Sequence, residues 1–174
     1  MPVEFTTLKS PNQVYPELDK KVLDLASSLK NNLQEKSVDF DRACVLGASS
    51  SVAQSVIMPS AERLGFASEK KGLFSEYSTS ALRPDFFLPV HLTGVLLEVE
   101  RGKTLRNNMD LLDLWKTHIC TNAHFLFLFV PFANVRSSGR ERVYETVITR
   151  LESFFTDTNS VNVDAAYIFG YGPK

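Results

Sequence analysis

Cysteine is scarce in this chain of 174 residues: there are two, Cys44 and Cys120. A pair that small makes no disulfide framework, and such usage fits a reducing compartment, so a cytoplasmic location is expected. Histidine is also rare, and His91 and His124 show no metal-ligand spacing. No apolar run reaches the ~20 residues that a membrane span needs. The start has no charged-then-apolar segment, so no secretory leader is expected. An excess of one charge is missing too. Nineteen basic residues meet 20 acidic ones, for a net charge of -1. Bulk charge therefore does not favour non-specific binding to a polyanion, although a local basic face stays open. There is no internal repeat and no low-complexity linker. The run Gly47-Ala48-Ser49-Ser50-Ser51 lacks the Gly-Lys-Ser/Thr ending of a phosphate loop and reads as a turn and helix N-cap.

What the chain does have is apolar material. Hydrophobic residues make up 44% and charged ones 22%, with 13 phenylalanines. That suffices for one folded domain over residues 1–174. Val14, Leu18, Val22, Leu25, Leu29 and Leu33 recur at helical spacing and predict a helix over 12–36, with Pro16 in its first turn. A second helix is expected over Ser51–Leu64, with Pro59 as a point for a kink or break and Gly65 ending it. Strands are expected over Gly72–Tyr77, Asp85–Val90 and Gly94–Arg101. A helix over Asn107–Ala123 follows. Its apolar stripe is Leu111, Leu112, Leu114, Trp115, His118 and Ile119, with Asp110, Asp113, Lys116 and Thr117 facing away. His124–Val130 reads as a strand buried on both faces. A helix over Gly139–Phe155 and a strand over Val163–Phe169 complete the order.

Three carboxylates stand out against these apolar strands. Asp85 heads one run, and Glu98 and Glu100 close the next. Residues two apart in a strand share a face, so Glu98 and Glu100 point together while Val95, Leu97 and Val99 point to the other side. Carboxylates in an apolar strand are costly unless a cation meets them. A divalent metal is the simplest such cation, because hard ions take oxygen ligands. Ion pairing with Arg83, Arg101 or Lys103 is the alternative.

Pro84-Asp85 followed by Glu98-Val99-Glu100 resembles the paired motifs of the PD-(D/E)xK nuclease superfamily, which includes many restriction endonucleases. A glutamate, Glu100, stands where the superfamily usually has lysine. The order helix, three strands, helix, strand over Ser51–Pro131 matches as well. The resemblance implies an α/β fold with a restriction-endonuclease-like core, a mixed β-sheet flanked by helices, here extended by a C-terminal helix and strand. It implies a Mg2+- or Mn2+-dependent endonuclease that hydrolyses DNA. Asp85 and Glu98 would be the metal ligands, joined by Glu62 as a helix glutamate joins in some relatives. Glu100 would orient or deprotonate water, and Lys103, the nearest following lysine, would be catalytic. Lys116 is a second lysine candidate. Arg101, Thr104, Arg106, Asn107 and Asn108, at a strand-to-helix turn, suit contact with DNA phosphates.

The expected partners are DNA and a second copy of the chain, since a two-fold dimer cuts both strands most simply. A type II restriction enzyme and a small repair or resolvase nuclease both fit. The alternative is an inactive nuclease-like domain that binds nucleic acid or a protein, and beyond it a scaffold whose carboxylates are structural.

Overall fold

The computed structural model of the chain describes residues 3–45, 47, 49–68, 73–74, 77, 82–136, 139–158 and 161–174. Strand β1 (Val3–Lys9) comes first, then helices α1 (Asp19–Leu33), α2 (Ser37–Ala43) and α3 (Ser50–Arg63). Strands β2 (Ala67–Ser68), β3 (Phe86–Val90) and β4 (Thr93–Val99) lead to α4 (Met109–Ile119). Strand β5 (Phe125–Pro131), the hairpin β6 (Ala133–Arg136) and β7 (Gly139–Arg142), α5 (Val143–Glu152) and β8 (Ala165–Tyr171) complete the chain. Six strands form one mixed sheet in the order β1-β8-β5-β4-β3-β2. The central pairs β4–β5 and β5–β8 are parallel, and the outer pairs are antiparallel.

Alternation along the central strands divides the core in two. Val95, Leu97, Val99, Phe125, Phe127, Phe129, Tyr167 and Phe169 face one side, where Val22, Leu29, Phe40, Ile57 and Ala61 of α1–α3 cover them. Leu96, Leu126, Leu128, Val130 and Ile168 face the other, under Leu114 of α4 and Val143, Val147 and Leu151 of α5. This two-sided cover explains why β5 is apolar at every position. The phenylalanines are concentrated on the first side, where Phe129 and Phe169 stack at 4.3 Å between ring centroids.

An α/β fold with helices on both faces of a mixed sheet is thus observed. α3 ends as expected, with Pro59 inside it and Gly65 in the left-handed region just beyond it. Several boundaries differ. The first long helix starts at Asp19, after a 3-10 turn over Pro16–Leu18, because proline sets that first turn. The last helix begins at Val143, since Gly139–Arg142 pairs with Ala133–Arg136 instead. β1 has no expected counterpart; its half-buried Glu4, Phe5, Thr6 and Thr7 give no alternation for a strand that closes the sheet edge against β8. Of the strand expected over 72–77, residues 72, 75 and 76 lie outside the described residues, and Leu73, Phe74 and Tyr77 are in turns and a bend instead; the first strand paired with β3 is the short β2.

The largest reversal is α4. Asp110, Asp113, Lys116 and Thr117 are buried, whereas Leu112 and Trp115 are 39% and 46% exposed. The helix turns its polar face to the sheet, because charged partners wait there. Replacing Trp115 by Lys should therefore shift stability by no more than about 0.5 kcal/mol, while Leu114→Ala should cost about 2–5 kcal/mol. Urea unfolding of both variants checks this; equal losses would mean that α4 packs by its apolar stripe after all.

Candidate active site

The antiparallel register of β3 and β4 assembles the site. Phe86 pairs with Leu97, so the next step outward sets Asp85 opposite Glu98. The two clasp each other through the backbone: Val99 N–H donates to Asp85 Oδ2 at 2.8 Å, and Asp85 N–H to Glu98 Oε2 at 3.3 Å. The 13-residue separation of these carboxylates is thus a register requirement of a β-hairpin. Glu100 lies one residue past β4, still held extended by its N–H to Phe129 O at 2.8 Å.

The fourth member arrives from α4. Lys116 Nζ lies 2.5 Å from Glu98 Oε1 and 2.8 Å from Asp113 Oδ1. The first contact is a hydrogen bond; the second is an ion pair at hydrogen-bonding distance, and Asp113 Oδ2 has no partner among the described residues. Positions 110, 113 and 116 recur every three residues, so one helix face presents all three side chains. Asp110 is paired with Arg150 Nε of α5 at 3.4 Å. Thr117 Oγ1 caps Asp113 O at 3.0 Å.

From the other side of the sheet, Gln54 of α3 hydrogen-bonds the Asp85 carboxylate. A cleft of about 330 Å3 opens there, lined among the described residues by Ser51, Gln54, Ser55, Met58, Ser68, Pro84, Asp85 and Phe86. Access to Asp85 is from this cleft.

Five carboxylates, Asp85, Glu98, Glu100, Asp110 and Asp113, interact, and Lys116 and Arg150 act on them from α4 and α5. Burial raises Glu98, and Asp113 and Asp85 add to this more than Lys116 relieves. Burial and Asp113 push Glu100 up to about 8. Burial takes Asp113 to about 6 against the pull of Lys116, and raises Asp85 and Asp110 as well. Burial opposes the charge on Lys116, but Glu98 and Asp113 together hold its ammonium above the ordinary range. One ammonium is shared by two buried carboxylates, which is why the base is stabilised while both acids stay raised.

The other expected site residues are distributed differently. Lys103 is exposed and its N–H closes a turn on Arg101 O at 2.7 Å; the ammonium in the carboxylate cluster is that of Lys116. Glu62 is exposed at the far end of α3, eight residues and roughly 12 Å along the axis from Gln54. Gln54 is the α3 residue that reaches Asp85. Thr104 is fully buried, so it presents no surface to a polyanion. Arg106 and Asn107 are exposed. Asn108, at φ 53°, receives Arg150 on its Oδ1 at 2.7 Å. Arg101 reaches back to Val45 O at 2.5 Å, away from the Glu98–Glu100 face. His118 is half-buried and accepts Asn162 N–H at 2.9 Å, and His124 pairs with Thr93 Oγ1 at 2.8 Å. Cys44 and Cys120 are free thiols.

Gln54 carried no sequence signal, because an amide on a helix is ordinary. Lys116 carried one: a lysine at i+3 from Asp113 in a helix that follows the acidic strand.

Among the described residues, no group of three or more His, Cys, Asp or Glu side chains is arranged to hold a metal ion by itself. The Asp85–Glu98 pair suits a hard cation that keeps most of its shell as water, which is how Mg2+ usually binds. The surplus of raised carboxylates around it fits the same ion.

A scan of protein-family models finds no match, and no curated protein matches the sequence. The fold is similar to that of the restriction endonuclease BglII, solved in complex with a DNA 16-mer. The TM-score is 0.57 at 14% identity, over 100% of this chain and 79% of that chain. The chain therefore has a restriction-endonuclease-like fold. No helix among the described residues is long and apolar enough to cross a membrane.

Raised carboxyl pKa values give a pH prediction of definite sign. An acid whose folded value lies above its unfolded value stabilises the protein below the unfolded value and loses this as pH rises through the folded one. For Glu100 that window runs from 4.5 to about 8. Metal-free protein should melt several degrees lower at pH 9 than at pH 6. Glu100→Gln should shrink the difference. Scanning calorimetry showing equal pH slopes for both proteins would remove Glu100 from the cluster's energetics.

Proposed function

We propose that this chain is a metal-dependent endonuclease that hydrolyses DNA phosphodiester bonds. The observation that carries the reading is the Asp85–Glu98 clasp with Lys116 lodged against it, on a fold shared with a restriction endonuclease. Asp85 and Glu98 would hold a Mg2+ or Mn2+ ion. When bound, such an ion offsets the charge that develops on the phosphate and makes water a better nucleophile.

The chain's own residues have separable tasks. Glu98 sits deep and Asp85 at the cleft, so the pair spans from the core to the solvent-facing side. Among the described residues no group hydrogen-bonds the Glu100 carboxylate, and it is only half-buried. That leaves it able to orient the attacking water and accept its proton. Lys116 takes the role usually given to the motif lysine: a cation beside the phosphate that comes from α4 because Glu100 occupies the strand position. Exposed Arg106 and Asn107 would contact the DNA backbone, with Arg101 beside them at the strand end. A homodimer would bring two such sites to the two strands.

Incubation of supercoiled plasmid with the protein should produce nicked or linear DNA in magnesium and none in EDTA. Asp85→Asn should abolish cutting. Glu100→Ala and Lys116→Ala should each slow single-turnover cleavage by roughly 100-fold. Lys103→Ala should cut at close to the wild-type rate. Activity lost with Lys103 and kept without Lys116 would reverse the lysine assignment. DNA binding with no cutting in either metal would favour an inactive nuclease-like domain, a reading consistent with the net charge of -1. Light scattering at micromolar concentration should report twice the chain mass; monomer mass with and without DNA would remove the dimer.

A further inference from the structure

Both oxygens of Glu98 already accept hydrogen bonds. Its Oε2 accepts Asp85 N–H at 3.3 Å and its Oε1 accepts Lys116 at 2.5 Å. A divalent cation entering between Asp85 and Glu98 would meet the ammonium on the same carboxylate. Two cations on one buried carboxylate repel strongly where the dielectric is low. For the ion to bind well, the ammonium has to give way, and a buried ammonium needs another anion to go to.

Asp113 stands in the right place. It is fully buried, and its Oδ1 is already 2.8 Å from Lys116 Nζ. Its other oxygen, Oδ2, has no hydrogen-bond partner among the described residues. Its backbone turn is fixed by Thr117 Oγ1 on its carbonyl. A small rotation at the end of the lysine chain would keep the Asp113 contact and release Glu98. A carboxylate held in the core with unfilled hydrogen-bonding capacity beside a lysine shared with Glu98 is otherwise costly to maintain.

We infer that Asp113 is a positioning residue: it receives the Lys116 ammonium when a divalent cation takes Glu98, and so keeps the lysine in the site for the phosphate. This rests on the metal-dependent reading above. Without Asp113, Lys116 has Glu98 as its remaining close carboxylate and competes with the metal for it.

The test is calorimetric titration of Mg2+ into the full chain as wild type, Asp113→Asn, Lys116→Gln and the double variant. Asp113→Asn should weaken Mg2+ binding by about tenfold, within the range that coupled neighbours show. Lys116→Gln alone should tighten binding, because the competing cation is gone. With Gln at 116, adding Asp113→Asn should change affinity by less than about threefold, since its partner is absent. An equal loss in both backgrounds would mean that Asp113 acts only as a remote negative charge, and would overturn the inference while leaving the metal site standing. A wild type that takes up no Mg2+ overturns the metal reading and this inference with it. If Asp113→Asn does not fold, Lys116→Gln decides alone: tighter binding supports the exchange, and weaker or unchanged binding overturns it.

Discussion

The ammonium of Lys116, set between Glu98 and Asp113, is the contact on which the rest of the arrangement depends. Two buried carboxylates from different elements, a central strand and the helix that crosses over it, are tolerable because one cation lies between them. Removing one partner of a buried pair of this kind costs about 3–5 kcal/mol, because it strands the charge that remains. The pair also dictates how α4 lies. A helix whose charged residues must meet a buried glutamate cannot keep them in water, so its Leu112 and Trp115 take the outer face instead.

That contact has its place because of the sheet. Antiparallel pairing of β3 with β4 sets Asp85 against Glu98, and the parallel step from β4 to β5 requires a crossover, which α4 supplies. The crossover carries Lys116, Asp113 and Asp110 past the end of β4, the side on which open α/β sheets bind ligands. On the opposite face, α3 brings Gln54 to Asp85. The site thus lies where helices from both sides of the sheet reach the same pair of strands, and every member is anchored to a regular element or to the residue next to one.

Much of this was legible in the residues. The apolar run Val95-Leu96-Leu97 of β4 and the unbroken apolar run of β5 mark the central strands, because strands covered on both faces are apolar at successive positions. Pro84-Asp85 and Glu98-Val99-Glu100 located the carboxylates, since charge in an apolar strand has few explanations. The α4 face inverts the same rule: polar periodicity is ordinarily a solvated face, and Glu98 lying opposite turns it inward. Lys103 drew attention by its nearness in sequence, yet the turn at Gly102 leaves it exposed, while Lys116 is 18 residues from Glu98 and touches it. Glu62 had the right charge on the right helix but sits two turns too far along it. β1 and the β6–β7 hairpin gave no strong pattern, because edge and two-stranded pairings bury too little to impose one.

A cluster this rich in raised carboxylates, with one shared lysine at its centre, should accept a divalent cation between Asp85 and Glu98. Anomalous diffraction from crystals grown with Mn2+ tests that most directly. The account predicts a strong peak roughly 2.0–2.3 Å from a carboxylate oxygen of each residue, with Lys116 moved off Glu98 and onto Asp113. Crystals that show no peak there in millimolar Mn2+, with Lys116 still bound to Glu98, would contradict it.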